Sequence, residues 1–307
     1  METKRNIVNI VENKAILDLA HKHAAAVFGS TDYKLLCLGI KGSTSYGLSN
    51  SDSDTDVMGI ILPPVEYILG TKKFEQYTFS DVDNKVEGIV YSFQKFFKLL
   101  LNQNPNILEL LWLNEYVYAD TLFIHALLNN RNHFLSTKIK HTYAGYAHEQ
   151  LSRLDKLNRK TNQNTKRKND VEKYGYSTKN AMHLIRLLKV AIYALQTGTI
   201  FVLLPDDDIK MLMKIRNGKI AYDKVVELAN ELFNEVEDIY KNSPLQTEID
   251  AEDACKLQET VLFTYIHDFD RGGRYDILQD ELSVGLTSNA YRLDIRNLVV
   301  GQTIPRI

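Results

Sequence analysis

Two short apolar runs, separated by a turn-rich stretch, constrain the N-terminal part of the chain more than any other feature. Residues 34–40 and 54–62 are each apolar enough to form a buried strand, and Pro63-Pro64 stops the second one. Between them, residues 42–53 are crowded with Gly, Ser, Asn and Asp, which favour turns. The sequence therefore predicts two strands joined by a polar loop.

Periodicity divides the rest of the chain into a mixed first part and a mostly helical second part. In the first part we predict a helix, a third strand and two further helices, at residues 7–28, 85–91, 93–102 and 106–113. In the second part we predict helices at residues 139–158, 178–196, 206–216, 222–241 and 253–268. We therefore expect an α+β protein, with an α/β module over residues 1–135 and a helical module over 136–307.

The composition is that of an ordinary globular protein and excludes several other classes. Hydrophobic residues make up 44% of the 307 residues and charged residues 25%. Cys37 and Cys255 lie far apart without zinc spacing, which argues against a disulfide framework or a structural zinc. No window approaches the ~20 apolar residues of a membrane helix. We expect a cytoplasmic protein with no membrane partner.

The polar loop and the strand after it carry residues that suit phosphate and metal chemistry. Gly42 lets the backbone approach a phosphate closely, and Ser43 can donate its hydroxyl to a phosphate oxygen. Because side chains alternate along a strand, Asp54 and Asp56 point to the same face. Two such carboxylates suit Mg²⁺ or Mn²⁺. An Asp-x-Asp pair alone is usually a solvated turn, and it is the combination with Gly-Ser that favours a metal site.

Gly42-Ser43 followed by Asp54-x-Asp56 resembles the signature of the DNA polymerase beta-like nucleotidyltransferase superfamily. Three segments are similar to a narrower group, the predicted nucleotidyltransferases of bacteria and phages, some of which are encoded beside RNA ligases. These segments are residues 42–48, 53–59 and 104–109. The resemblance continues at residues 176–188 and at Thr197-Gly198, so it covers roughly residues 35–220.

The resemblance implies an α/β nucleotidyltransferase module with a small mixed sheet, followed by helices. It also implies an enzyme that uses Mg²⁺ or Mn²⁺ to move a nucleotidyl group from an NTP to a hydroxyl, with release of pyrophosphate. A third carboxylate is expected on the strand after Asp56. Glu87 is the best positional match, and Asp81 and Asp83 are nearby competitors. Asp54, Asp56 and Glu87 would then form the catalytic metal-binding set.

A second group of polar residues lies on the predicted helix 178–196. Lys179, His183 and Arg186 are spaced by four and three residues, which places them on one helix face. We predict that this face closes over the nucleotide and contacts its phosphates together with the Gly-Ser turn. The alternative is an ordinary polar helix face.

Residues 156–173 are rich in Lys and Arg, and they form the one local charge imbalance in a chain of net charge −2. Lys166, Arg167 and Lys168 could follow a nucleic-acid backbone. With the resemblance, this stretch makes an RNA end the preferred acceptor. The alternative for the stretch is a solvated loop.

Two other functions fit the same motifs. An inactive relative that senses nucleotide or RNA would keep them, and the uncertain third carboxylate favours it. A toxin or defence component that modifies tRNA or protein would share the chemistry and differ in its target. Neither the particular NTP nor the oligomeric state follows from the sequence.

Overall fold

One mixed sheet with helices on both faces organises the protein. A computed structural model describes residues 9–49, 53–157 and 165–270, with the backbone alone at residues 155–157, 165–169 and 269–270. The fold is of the α+β class, as predicted. The strands are β1 (Asn9–Ile10), β2 (Lys34–Lys41), β3 (Thr55–Leu62), β4 (Gln76–Asp81), β5 (Val86–Ser92) and β6 (Glu115–Ala119).

Helices surround this sheet and make up most of the second half of the chain. The first half contains α1 (Lys14–Phe28), α2 (Gly42–Ser45), α3 (Val65–Ile68), α4 (Phe93–Leu101), α5 (Pro105–Leu110) and α6 (Thr121–Phe123). A π-helical turn (Ile124–Leu128) and a 3-10 turn (Arg131–Phe134) follow. The second half contains α7 (Ile139–Leu157), α8 (Thr165–Tyr174), α9 (Thr178–Thr197), α10 (Asp206–Arg216), α11 (Tyr222–Tyr240) and α12 (Ala251–Asp270).

The strands lie in the order β1-β6-β2-β3-β5-β4. β2 pairs antiparallel with β3, as expected for two strands joined by a loop. β5 pairs parallel with β3 and antiparallel with the edge strand β4. Because β3 and β5 are parallel and in register, residues paired across them point to the same face of the sheet.

Most predicted elements are confirmed, but two boundaries are wrong. The helix predicted over residues 106–113 ends at Leu110. The five helices predicted after residue 136 agree with the structure to within two residues at each end. The helix predicted from residue 7 begins only at Lys14, because the Asn13 side chain caps it by accepting a hydrogen bond from the Ile16 amide. Asn9–Ile10 instead pairs with β6.

β4 and β6 were not predicted from the sequence. In β4 the buried Tyr77 and Phe79 alternate with the exposed Thr78 and Ser80, which is the period-two signal of a half-buried strand. β6 has only five residues, and so short a run gives little periodicity.

Both faces of the sheet are buried. One face packs on α1 through a core that includes Phe28, Val57 and Val90. The other face contributes Met58 and Ile60 to a larger core that runs on through α7, α9 and α11. Because this core is continuous across residue 135, the two halves pack tightly against each other. The division into modules at residues 135 and 136 stays a prediction.

α9 is the central helix of the second half and is fixed at both ends. The Ser177 hydroxyl accepts a hydrogen bond from the Asn180 amide at its N-terminus. Gly198, at φ 72°, ends it in the left-handed conformation. Within the part of the chain that the structure describes, no helix has the length and apolar character needed to cross a membrane.

The packing at Gly88 generates a stability prediction. A Cβ added at this position in β5 would overlap the buried Phe79 ring. Gly88→Ala should therefore lower the free energy of unfolding by about 1–3 kcal/mol, the usual cost of overpacking a core. Gly145→Ala is the control, since it adds the same methyl group at an open, exposed position in α7. It should raise the free energy of unfolding by up to ~1 kcal/mol. Urea unfolding of both variants measures the difference, and equal stabilities would contradict this packing.

Candidate active site

The turn after β2 depends on a glycine at its first position. Gly42 begins the short helix α2 at φ 69°, a conformation that other residues rarely adopt. A Cβ at Gly42 would also overlap the Asp56 carboxylate. Glycine is therefore required both for the backbone torsion and for the space that Asp56 occupies. Ser43, the second residue of the predicted phosphate turn, follows it in α2 and is half-buried.

Two of the predicted carboxylates, Asp56 and Glu87, lie side by side near the start of β3 and β5. Asp56 and Glu87 are register partners on these parallel strands, so both side chains point to the same face. Asp54 lies two residues before Asp56. Asp56 is half-buried, whereas Asp54 and Glu87 are exposed. Of the three candidates for the third carboxylate, only Glu87 pairs with Asp56; Asp81 ends β4 opposite Val86, and Asp83 lies in the turn between β4 and β5.

The electrostatics of Asp56 place it at the centre of a charged cluster. Burial raises the pKa of Asp56, and the Lys179 ammonium opposes this effect. The Glu87 and Asp54 carboxylates raise the pKa of Asp56 further, whereas Lys41 lowers it. Two carboxylates and two ammonium groups therefore act on the Asp56 carboxyl group.

The chemistry of this cluster suits a divalent cation. In the described residues no three His, Cys, Asp or Glu side chains already converge as metal ligands. However, the Asp54 and Glu87 side chains are exposed and can turn toward Asp56. All three offer the oxygen ligands that Mg²⁺ and Mn²⁺ prefer, and their mutual repulsion is relieved by a cation. The residues present therefore fit such an ion.

A cleft of about 640 Å³ opens beside this cluster and is lined by both halves of the protein. Its volume lies in the range of small-molecule sites. Lys41, Gly42, Asp56 and Glu87 line it from the sheet side, and His183 lines it from α9. Lys179, one turn before His183, is exposed and acts electrostatically on Asp56. Of the three residues predicted on the helix face, His183 thus lines the candidate site and Lys179 acts on it electrostatically.

Arg186 is the member of the predicted phosphate set that the structure places elsewhere. Its side chain is only 4% exposed, and its Nη1 donates a hydrogen bond to Glu109 Oε1 at 2.8 Å. Its guanidinium also lies over the Tyr46 ring, 3.7 Å from the centroid. Arg186 lies seven residues after Lys179, which is roughly 10 Å further along the helix axis. Spacing places the three residues on one side of α9, but the helix enters the core before it reaches Arg186, whose Nη1 is bonded to Glu109 and not directed at the cleft.

Two charged residues of the site were not singled out from the sequence. Lys41 is buried, and its ammonium donates to the Asn106 carbonyl at 2.8 Å and to Asn106 Oδ1 at 3.1 Å. Burial lowers the pKa of Lys41 to about 8, although Glu109 opposes this effect. Glu109 is fully buried in α5. The sequence signal for Glu109 is a carboxylate inside the apolar run of residues 107–113, which requires a buried partner.

The predicted nucleic-acid contacts Lys166, Arg167 and Lys168 lie in α8, and their side chains are outside the described residues. The backbone of residues 165–174 is helical, so this part of the basic stretch is not a loop. Asp170 of α8 forms an ion pair with Arg216 of α10 and accepts a hydrogen bond from the Thr178 hydroxyl of α9.

The environment of Asp56 generates a prediction on metal binding. A carboxyl group whose pKa is raised by folding destabilises the fold in its ionised form. Asp56→Asn should therefore unfold at the same or a higher temperature than the wild type without metal. Added Mg²⁺ should raise the unfolding temperature of the wild type by roughly 2–5 °C and leave Asp56→Asn unchanged.

Thermal unfolding in EDTA and in Mg²⁺ measures both effects. Asp83→Asn is the matched control, because Asp83 is exposed in the turn between β4 and β5, and it should respond to Mg²⁺ as the wild type does. An equal Mg²⁺ response in Asp56→Asn would exclude Asp56 as a ligand.

Comparisons with known proteins identify the family. Among curated proteins, no sequence match is found. A solved structure of a nucleotidyltransferase-like protein from Exiguobacterium sibiricum 255-15 matches with 11% identity and a TM-score of 0.29, over 85% of this chain and 91% of that chain. The sequence profile of RlaP, the RNA repair pathway DNA polymerase beta family, matches residues 13–259. The chain therefore belongs to this polymerase beta-like family and is an enzyme of the nucleotidyltransferase kind.

Proposed function

We propose that the protein transfers a nucleotidyl group from an NTP to a hydroxyl on the end of an RNA and releases pyrophosphate. The observation that carries this proposal is the register of Asp56 with Glu87, directly beside the Gly42 turn and in a cleft with His183. The family description, an RNA repair pathway, supports RNA as the acceptor. An inactive relative would have no need of this carboxylate register.

Asp54, Asp56 and Glu87 would hold the divalent ion, Mg²⁺ or Mn²⁺, that polymerase beta-like nucleotidyltransferases typically use. When bound, such an ion neutralises charge on the phosphates and makes the attacking hydroxyl more acidic. The remaining tasks belong to the chain itself.

In the proposed reaction, a bond forms between the acceptor oxygen and the α-phosphorus, and the bond from the α-phosphorus to the bridging oxygen breaks. Pyrophosphate leaves with the electron pair. Glu87, exposed at the start of β5, orients the acceptor hydroxyl and accepts its proton. Gly42 and Ser43 hold the terminal phosphates from the turn, and Lys179 and His183 hold them from α9. The Lys179 ammonium supplies the positive charge that residues 42–45 lack.

The first functional prediction concerns the carboxylates. Asp54→Asn and Glu87→Gln should each reduce nucleotidyl transfer by roughly 10²-fold or more, by analogy with other losses of transition-state stabilisation. Asp83→Asn, the exposed control, should keep wild-type rates. The assay follows the α-phosphate label of each NTP in the presence of Mg²⁺ or Mn²⁺ and total RNA.

The position of the label distinguishes the functions. Label in RNA supports the proposal, and a concentration of the label in tRNA would favour a tRNA-modifying toxin or defence component. Label in protein would show that the acceptor is a protein and not RNA. No transfer of any NTP by the folded wild type would favour an inactive, nucleotide-sensing relative, and wild-type rates in Asp54→Asn and Glu87→Gln would eliminate the metal set.

A further prediction concerns the basic residues of α8. If Lys166, Arg167 and Lys168 contact RNA phosphates, replacing all three with Ala should raise the KM for RNA. It should also flatten the salt dependence of log KM by roughly two to three units of slope, since each phosphate contact contributes about 0.7–0.9. The KM for the NTP should not change. Initial rates at several salt concentrations measure this, and an unaltered slope would exclude α8 from the RNA interface.

A further inference from the structure

The turn proposed to bind the phosphates, Gly42–Ser45, is not stable by itself. α2 has only four residues, and no side chain caps its N-terminus. Helices this short are unstable in water, because nucleation costs more than a single turn returns. The position of Gly42 and Ser43 is therefore set by residues outside the turn.

Both ends of the turn are tied to the same short helix, α5. Before the turn, the Lys41 ammonium donates to the Asn106 carbonyl and side chain. After the turn, the Tyr46 hydroxyl donates to Glu109 Oε2 at 2.8 Å. Asn106 and Glu109 are three residues apart and so lie on one face of α5. α5 thus holds the residues on both sides of the turn in place.

A buried ion pair joins α5 to α9. Glu109 is 0% exposed and Arg186 is 4% exposed, with 2.8 Å between Oε1 and Nη1. Burial would raise the pKa of Glu109, but the charges of Arg186 and Lys41 outweigh it, so the pKa of Glu109 is lowered and the pair is ionised. The guanidinium also lies over the ring of Tyr46, whose hydroxyl already contacts Glu109.

Such a pair is weak evidence for stability. Replacing a buried ion pair with apolar side chains of similar size is often neutral or stabilising, because both charges must be desolvated. Its geometry, by contrast, fixes two elements relative to each other. Arg186 is on the same helix as Lys179 and His183, and Glu109 and Tyr46 fix the turn that carries Gly42.

We propose that Glu109 and Arg186 are positioning residues that hold the Gly42–Ser45 turn and helix α9 in fixed register, so that the phosphate contacts from both are preformed. This inference rests on the proposed function. It assigns the pair no contact with substrate, since Glu109 is fully buried and the Arg186 Nη1 is bonded to it.

The test uses the double variant Glu109→Met/Arg186→Met in the full chain, which removes both charges and leaves neither one unpaired. The matched control is Lys189→Met/Asp208→Asn, which removes another ion pair of α9, with 3.3 Å between Nζ and Oδ1. Asn at position 208 keeps an acceptor for the Tyr193 hydroxyl. Thermal unfolding and amide hydrogen exchange are measured on the free proteins, followed by transfer kinetics.

We expect the unfolding temperature of the double variant to stay within roughly 3 °C of the wild type. Exchange of the amides of Tyr46, Gly47 and Leu48, which close the turn by hydrogen bonds to Gly42, Thr44 and Ser43, should become about tenfold faster or more. kcat/KM for the NTP should fall about 30-fold or more. The control variant should exchange these amides at the wild-type rate and keep the wild-type kcat/KM.

Unchanged exchange in a folded double variant would overturn the proposal, whatever its activity. Faster exchange with unchanged transfer would also overturn it, because the turn would then be loosened without consequence. If the wild type transfers no nucleotide, the proposed function fails, and the exchange result still decides whether the pair orders the turn.

If the double variant does not fold, Tyr46→Phe provides the same test, because it keeps the ring over Arg186 and deletes only the bond to Glu109. Its turn amides should exchange about threefold faster than in the wild type, and an unchanged rate would overturn the proposal.

Discussion

The parallel pairing of β3 with β5 is the contact on which the candidate site depends. It places Asp56 directly beside Glu87, and a slip of one residue would turn Glu87 to the opposite face of the sheet, against α1. The register is held by buried residues on both faces of the sheet, Val57 and Val90 on the α1 side and Met58 and Ile60 on the face that carries the carboxylates. The position of the acidic cluster is therefore a consequence of core packing on both faces.

The same cluster is unfavourable by itself. Burial and two neighbouring carboxylates all raise the pKa of Asp56, and the opposing charges of Lys179 and Lys41 do not cancel their effect. A chain selected for stability alone would have little reason to retain this arrangement, and proteins commonly accept such costs at functional sites. The glycine at position 42 adds to the argument, because it leaves the space in which the Asp56 carboxylate lies.

The sequence predicts the parts of this protein that are set by local pattern. The strand–loop–strand unit, the positions of Asp54 and Asp56, and five helices after residue 136 follow from alternation, helical period and turn residues, whereas α8 was not predicted. Spacing places Lys179, His183 and Arg186 on one face of α9 but does not indicate how deeply each side chain is buried. Arg186 lies in the core. Lys41 and Glu109 could not be paired with their partners, because Lys41 meets Asn106 and Glu109 meets Arg186 across 65 and 77 residues of chain. Such contacts depend on tertiary packing, which no local window contains.

The distribution of charge across the cleft indicates how a nucleotide would be held. The carboxylates come from β3 and β5, whereas Lys179 and His183 come from α9, so a metal-bound triphosphate would bridge the sheet and the helical half. From the sequence, α9 was expected to close over the nucleotide. However, α9 is buried along most of its length, and its core is continuous with that of the sheet. Moving it as a lid would separate this packed surface and expose its apolar side chains to water. The packing thus favours a cleft that exists before the nucleotide binds, and this makes the buried contacts of Glu109 and Arg186 more important than any closing motion for the placement of the phosphates.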